Sequence, residues 1–418
     1  MGVGVISLRI TAVRSLKILL MCKIFLLTSL VGIMQGCSIM KMESELNLFN
    51  ESVFTAEFDL VSPSAPESPI VIVFYHPEEK VSHSLRIISR PGHISTVFPK
   101  TTVHVVAFSD LNGDLDWQEG EPYSFVERNE FELNENRLLV LQPQEVGPIL
   151  PANLRAYLDL IPVKLGAIVD IDDPIIGEKI GKAGLFEPLT SLQTGKMGYY
   201  FLQPYDGDKQ VIFMVHGMSG YPAQFKHIIS HIDRQRFQVL LLAYPSGFPL
   251  EQLSSGIENA MNILQHRYEF ERVHVIAHSM GGLITRRWLQ RCQESQRCPL
   301  LGEYITVSTP WLGHEAAATG AKMSSPKVWK DMSPGSEFLQ RINSIEKRIR
   351  VPHTLVFSYQ STGVMNTEAN DGSVTLASQL SYPIQKQVNQ QLGIRESHVG
   401  VLSNTELFEL INRRLFIY

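Results

Sequence analysis

Val273-His274-Val275-Ile276-Ala277-His278-Ser279-Met280-Gly281-Gly282-Leu283 is the stretch whose reading decides the fold. An apolar run breaks at a serine set among small residues, and then Ile284, Trp288 and Cys292 recur at every fourth position, the spacing of one helical face. A strand, a sharp turn and a helix follow from that pattern. A serine at the tip of such a turn has its hydroxyl pushed into the open, and the turn closes only if its neighbours lack bulk. Ala277 and Gly281 supply that slimness, which makes Ser279 the candidate nucleophile.

Ala277-His278-Ser279-Met280-Gly281-Gly282 resembles the nucleophile elbow of α/β-hydrolase lipases and esterases, in which alanine often replaces the first glycine. His216-Gly217-Met218-Ser219-Gly220 resembles the oxyanion loop of the same superfamily. The similarity covers roughly residues 195 to 418 and implies an α/β-hydrolase fold, a mostly parallel sheet flanked by helices.

The pattern around the elbow agrees. Val211–Val215 is a continuous apolar run, as expected of a strand buried on both faces, and it ends at His216-Gly217. Tyr221, Phe225, Ile228, Ile229 and Ile232 then mark a helical face, Phe237–Tyr244 a strand, and Leu253, Ile257, Met261 and Leu264 another helix. Tyr304–Ser308 and His353–Tyr359 are later strands. Alternating strands and helices imply a parallel sheet, with reactive groups gathered at the carboxyl ends of its strands.

A serine hydroxyl needs a base to take its proton and a carboxylate to hold that base in the right tautomer. In this fold the chain order is serine, acid, histidine. His216, His274 and His278 precede the serine, and His353 begins a strand and so lies at the wrong end of the sheet. His398, in Ser397-His398-Val399-Gly400, is the base expected, followed by a capping box of Ser403 and Glu406 on a terminal helix bearing Leu407, Leu410, Ile411 and Leu415. Asp371, in Asn370-Asp371-Gly372, is the acid expected and resembles the Asp-Gly turn of related lipases, with Glu368 a neighbouring substitute and Asp331 a remote one. The oxyanion of acyl transfer needs two fixed N–H donors, here the backbones of Met218 and Met280. His216 is expected to brace its loop. Thr309-Pro310 with Gly313 looks like the lipase pattern after that strand. The segment of about 311–350, with Met323, Val328, Trp329 and Met332, is a cap over the site, its apolar residues serving either an acyl chain or the core.

Composition bounds the remainder. A chain of 418 residues suits two domains, and 44% hydrophobic residues can bury a sizeable core. A formal net charge of -5 argues against nucleic acid as a partner. Residues 1–36 read as a secretion signal: Met21-Cys22-Lys23 is a basic start, the core from Ile24 to Met34 is short of the about 20 apolar residues of a membrane span, and Met34-Gln35-Gly36-Cys37 resembles a bacterial lipoprotein signal whose cysteine is lipidated. Lys23 would interrupt a core beginning at Ile18, which places the start of translation at Met21; an uncleaved anchor is the other reading. The resemblance implies a cell-envelope lipoprotein, membrane-attached at Cys37 and facing the periplasm from the outer membrane. Export leaves Cys292 and Cys298 to pair as a disulfide or to remain free thiols.

Residues 37–52 are polar and read as a tether, and 53–144 as a small antiparallel β-sandwich, from short β-rich runs at Val53–Val61, Pro69–Tyr75, His93–Phe98, Thr102–Phe108 and Phe131–Leu141. Within it, Asp110, Asn112, Asp114, Asp116 and Glu121 place oxygens at alternate positions, as a calcium loop needs. Leu115 stands where an EF-hand has glycine, so an acidic surface hairpin is the alternative. Residues 145–198 read as linker and crossover, and 199–418 as the hydrolase domain. The expected chemistry is cleavage of a carboxylic ester, soluble or lipid, through an acyl-enzyme, with no cofactor and no metal in the catalytic site. The alternatives are an acyltransferase on the same three residues, or a catalytically silent envelope lipoprotein whose sandwich binds a partner.

Overall fold

The computed structural model describes residues 38–76, 81–102, 104–127, 136–144, 146–148, 150, 163–295, 298–315, 317–318, 326–360 and 368–417. The signal segment, Cys37, Met323 and residues 145, 149 and 151–162 of the expected linker and crossover lie outside them. No described helix is long and apolar enough to cross a membrane.

The stretch expected as a tether is instead a helix, α1, over residues 38–52. Met42 and Leu46 are buried and Phe49 sets its ring edge-on to Phe248 at 4.9 Å. These three stand at i, i+4 and i+7, a narrow apolar stripe that the polar composition around it conceals.

Strands β1 (Val53–Val61), β2 (Ile70–His76), β3 (Val81–Ile88), β4 (Gly92–Pro99), β5 (His104–Ser109), β6 (Tyr123–Glu127) and β7 (Asn136–Val140) form two sheets, ordered β4-β1-β7 and β3-β2-β5-β6. All pairs are antiparallel except β1 with β7, which is parallel and departs from the expected pattern. Period-two alternation gives β2 two interiors. Ile70, Ile72 and Phe74 fill the core between the sheets, while Val71, Val73 and Tyr75 join the core of the second half of the chain. That double burial is why β2 reads as an unbroken apolar run.

The loop Asp110–Glu121 turns its acids inward to its own backbone. Asp110 accepts from the N–H groups of Gly113 (2.9 Å) and Leu115 (3.3 Å), and Glu121 from those of Leu111 (2.7 Å) and Gln118 (3.0 Å). Among the described residues, no group of three or more His, Cys, Asp or Glu side chains could hold a metal ion. The carboxylates of Asp110 and Glu121 thereby close the turn at its two ends.

The α/β layer begins earlier than expected. β8 (Lys164–Ile168) pairs in parallel with β9 (Gly198–Phe201), with helices α2 (Glu178–Phe186) and α3 (Pro188–Gln193) between them. A short edge strand broken by Gly166, at φ 78°, shows no period in the sequence, and the register shifts there as in a bulge. β10 (Gln210–Val215), β11 (Phe237–Ala243), helix α4 (Leu250–Tyr268), β12 (Val273–His278), helix α5 (Met280–Glu294), β13 (Leu301–Val307), helix α6 (Glu337–Asn343), β14 (His353–Ser358), β15 (Gln390–Ile394) and helix α7 (Thr405–Leu415) follow. The sheet runs β15-β14-β13-β12-β10-β11-β9-β8, parallel but for the β9–β11 pair. The segment after β10 holds a short 3-10 turn at Pro222–Phe225 and one helical turn at Lys226–Ile229 in place of a long helix.

Both faces of the sheet are dry. Val211, Phe213 and Val215 of β10 face α4 and α5, and Ile212 and Met214 face Ile228, Leu407 and Ile411. On α5, Leu283, Ile284, Trp288, Leu289 and Cys292 are buried, each large side chain contributing about 1.5–3 kcal/mol by leaving water. A disulfide joins Cys292, in the last turn of that helix, to Cys298 beyond it.

Candidate active site

Ser279 sits between β12 and α5 with φ 55° and ψ -128°, a backbone conformation that non-glycine residues rarely adopt. Close packing enforces it. A Cβ on Gly281 would collide with the carbonyl oxygens of Val215 and His216, and one on Gly217 would lie 2.6 Å from the Ser279 Cβ. The loop after β10 thus runs directly against the serine.

His398 and Asp371 reach Ser279 from the far end of the chain. His398 Nε2 lies 2.9 Å from Ser279 Oγ, and His398 Nδ1 lies 2.7 Å from Asp371 Oδ2. The backbone joins the last two as well, the His398 N–H donating to the Asp371 carbonyl at 2.8 Å. Ser279 is 8% exposed and Asp371 is fully enclosed.

A buried carboxylate survives only if its lone pairs are filled. Asp371 Oδ1 accepts from the N–H groups of Ser373 (3.0 Å) and Val374 (2.7 Å), and Oδ2 from the Ser358 hydroxyl (2.8 Å) and the Gln379 amide (3.1 Å). Burial pushes its carboxyl up, but the His398 hydrogen bond and charge, with the Val374 and Ser358 donors, outweigh burial and hold it below the usual 3.8. Asp371 therefore faces His398 as an anion near neutral pH.

The other acids considered have different work. Asp331 is buried and takes the Leu250 N–H at 2.9 Å, capping α4. Glu368 is exposed.

The histidine that position excluded as a base still shapes the site. His278 donates its Nε2–H to the His398 carbonyl at 2.8 Å, and its Nδ1 takes the Gln224 amide at 3.4 Å. Burial, with the nearby His398 charge, pushes its pKa down to about 3, so it stays neutral. Its place inside Ala277-His278-Ser279 is the only sequence signal that could have marked it. His314, at the start of the expected cap, is also held below its ordinary pKa by burial and by the charge of His398.

Met280 is the first residue of α5, whose opening N–H groups have no partner within the helix, and Met218 follows Gly217 in the loop against the serine. His216 donates Nδ1–H to the Gly217 carbonyl at 2.8 Å and stacks on Tyr244, whose hydroxyl returns to the His216 carbonyl at 2.7 Å. The loop is braced from both sides.

Several expectations for the neighbourhood need amending. The terminal helix is capped by Asn404, which takes the Glu406 N–H at 2.8 Å, and not by Ser403. Of the cap residues, Trp311, Val328 and Met332 are buried in the main core, which decides between core and acyl lining for those three.

A model of a family described as alpha/beta hydrolase of unknown function (DUF915) matches residues 249–392, a span that includes Ser279 and Asp371 but ends before His398. Among solved structures, the chain is similar to a lipase of Bacillus licheniformis in its mature form at 12% identity and TM-score 0.41, covering 51% of this chain and 96% of that one. It is also similar to a gene product from Listeria innocua at 14% identity and TM-score 0.39, covering 50% and 94%. A lipase-esterase related protein from Clostridium acetobutylicum gives 13% and 0.36, covering 52% and 99%. No curated protein matches.

Proposed function

We propose, from the premise that this chain is an α/β hydrolase by superfamily and fold, that it is a serine hydrolase cleaving a carboxylic ester. One observation carries the reading: the unbroken line of hydrogen bonds Ser279–His398–Asp371 at 2.9 and 2.7 Å. Ser279 Oγ attacks the ester carbonyl as His398 Nε2 takes its proton, and Asp371 holds Nδ1–H and stabilises the imidazolium. The tetrahedral oxyanion takes the N–H groups of Met218 and Met280. His398 then protonates the leaving alcohol, and a water activated by the same imidazole releases the acid and restores Ser279.

Attachment at Cys37 and a periplasm-facing place on the outer membrane complete the proposal. The described part of α1 starts at residue 38 and docks through Met42, Leu46 and Phe49, so an acyl anchor at Cys37 would hold that body close to the lipid surface. The N-terminal mass of the native protein checks this, since a mature chain lacking an acylated Cys37 excludes it.

The activity is tested with a fluorophosphonate probe and a series of p-nitrophenyl esters of rising chain length. Wild-type protein labels and turns over, while Ser279→Ala abolishes labelling and lowers kcat by about 10⁶. Wild-type protein that neither labels nor hydrolyses any ester overturns the reading and favours a silent scaffold. Faster ester consumption in added alcohol, with a new ester formed, identifies a transferase on the same residues.

A further inference from the structure

One cleft among the described residues lies away from Ser279. It holds about 490 Å³ where the sandwich, α1 and the outer face of α4 meet, and none of Ser279, Asp371 and His398 lines it. Protein interiors tolerate few voids larger than a water molecule, and pockets of roughly 300–1,000 Å³ at domain junctions are the usual place for small ligands.

The lining is divided by polarity. Phe49 of α1, Val163, Leu192, Met197, Phe248 and Ile263 give apolar walls from four separate parts of the chain. Arg86, Ser95, Ser255, Asn259 and Arg291 also line a second, narrow cleft that continues among Thr96, Glu258 and Asn262, while Glu251 and Gln252 line the first cleft alone. There the Arg86 guanidinium is held in place by Thr96 Oγ1 at 2.9 Å, Ser84 Oγ at 2.6 Å and the Val97 carbonyl at 2.9 Å. Arg291 is bound to Glu258 at 2.6 Å and to Glu251 at 3.1 Å. A fixed cation with hydroxyl and amide donors beside an apolar hollow suits an amphiphile with a small anionic head.

Gly256 offers a handle on the cleft. It stands inside the 19-residue helix α4, where glycine costs about 1 kcal/mol relative to alanine. It lines the cleft, and a Cβ there would meet nothing within 4 Å. The position is exposed at the edge of the cleft and has room for a larger side chain.

We infer that this cleft binds a single-chain fatty acid, its alkyl chain among Phe49, Leu192, Met197 and Ile263 and its carboxylate toward Arg86. A space of this volume suits one alkyl chain of medium length with its head group. The site would give the N-terminal domain a ligand of its own, and it does not depend on the ester-hydrolase reading.

Calorimetry on the full chain with dodecanoate, and with dodecanol as the uncharged comparison, tests this. The acid saturates one site and binds at least tenfold more tightly than the alcohol. Gly256→Leu fills the edge of the cleft and weakens dodecanoate at least tenfold, Gly256→Ala weakens it less, and both keep the ester turnover of the wild type with a thermal midpoint no lower than its own. Hydrogen exchange on the unaltered protein is a second measurement, with dodecanoate slowing exchange over 252–263 and 84–86. Failure to bind, equal affinity for acid and alcohol, unchanged affinity in Gly256→Leu, or protection confined to 278–282 and 398 overturns the assignment.

Discussion

Asp371 has no contact with solvent and is nonetheless held as an anion, because four protein donors and His398 converge on its two oxygens. In Asp371→Asn an amide N–H₂ can face His398 Nδ1, which favours the tautomer that cannot accept from Ser279. Turnover of a p-nitrophenyl ester should fall about 10⁴-fold in kcat with KM little changed, while the fold survives. A loss below tenfold would mean that another acid, such as Glu368, orients the base. The sequence named this aspartate from chain order and its Asp-Gly turn. It gave no hint of Ser358 or Gln379, since a serine ending a strand and a glutamine eight residues past Asp371 look like ordinary polar residues until the turn folds over them.

Strand β12, the turn at Ser279 and helix α5 act as one element whose geometry depends on missing side chains. Gly281→Ala places a methyl group against the carbonyl oxygens of Val215 and His216, both backbone atoms that cannot rotate away. The expected outcome is a loss of about 1–3 kcal/mol by urea titration and, as the loop bearing Met218 moves, a fall in kcat/KM of roughly 10²-fold. Wild-type activity in this variant would show that the loop does not supply the oxyanion donor. At the same scale α1 was hidden and α5 was plain. Helix α5 carries an apolar face broad enough to read, whereas α1 docks through Met42, Leu46 and Phe49 and through Glu45, which accepts from the Leu189 N–H at 3.0 Å and the Thr190 hydroxyl at 2.6 Å. A carboxylate that serves the start of another helix looks, in sequence, like a solvated charge.

Across the whole molecule, burial keeps several histidines neutral. It lowers His216 and His274 to about 4, His278 to about 3 and His353 well below 6.5. The unfolded chain protonates these groups near 6.5 while the folded chain does not, so the unfolded state binds more protons as pH falls. Stability is therefore complete above about pH 6.5 and declines toward pH 4, each histidine contributing up to about 1.4 kcal/mol per pH unit. The midpoint of urea denaturation should drop progressively between pH 7.5 and 5. A flat profile over that range would show that the four rings are not held neutral together.

What the sequence determined by itself was local: the strand, turn and helix around Ser279, the alternation that makes a parallel sheet, and the chain order that selects Asp371 and His398. Those depend on periodicity and on the size of adjacent residues, which are written in the order of the chain. Tertiary structure alone decided the place of α1, the addition of β8 to the sheet, the fate of the Asp110–Glu121 acids, the tie from His278 to the His398 carbonyl and the cleft beneath the sandwich. Each of these joins surfaces far apart in sequence, and such contacts are set by which faces remain apolar or unsatisfied once the local elements have formed.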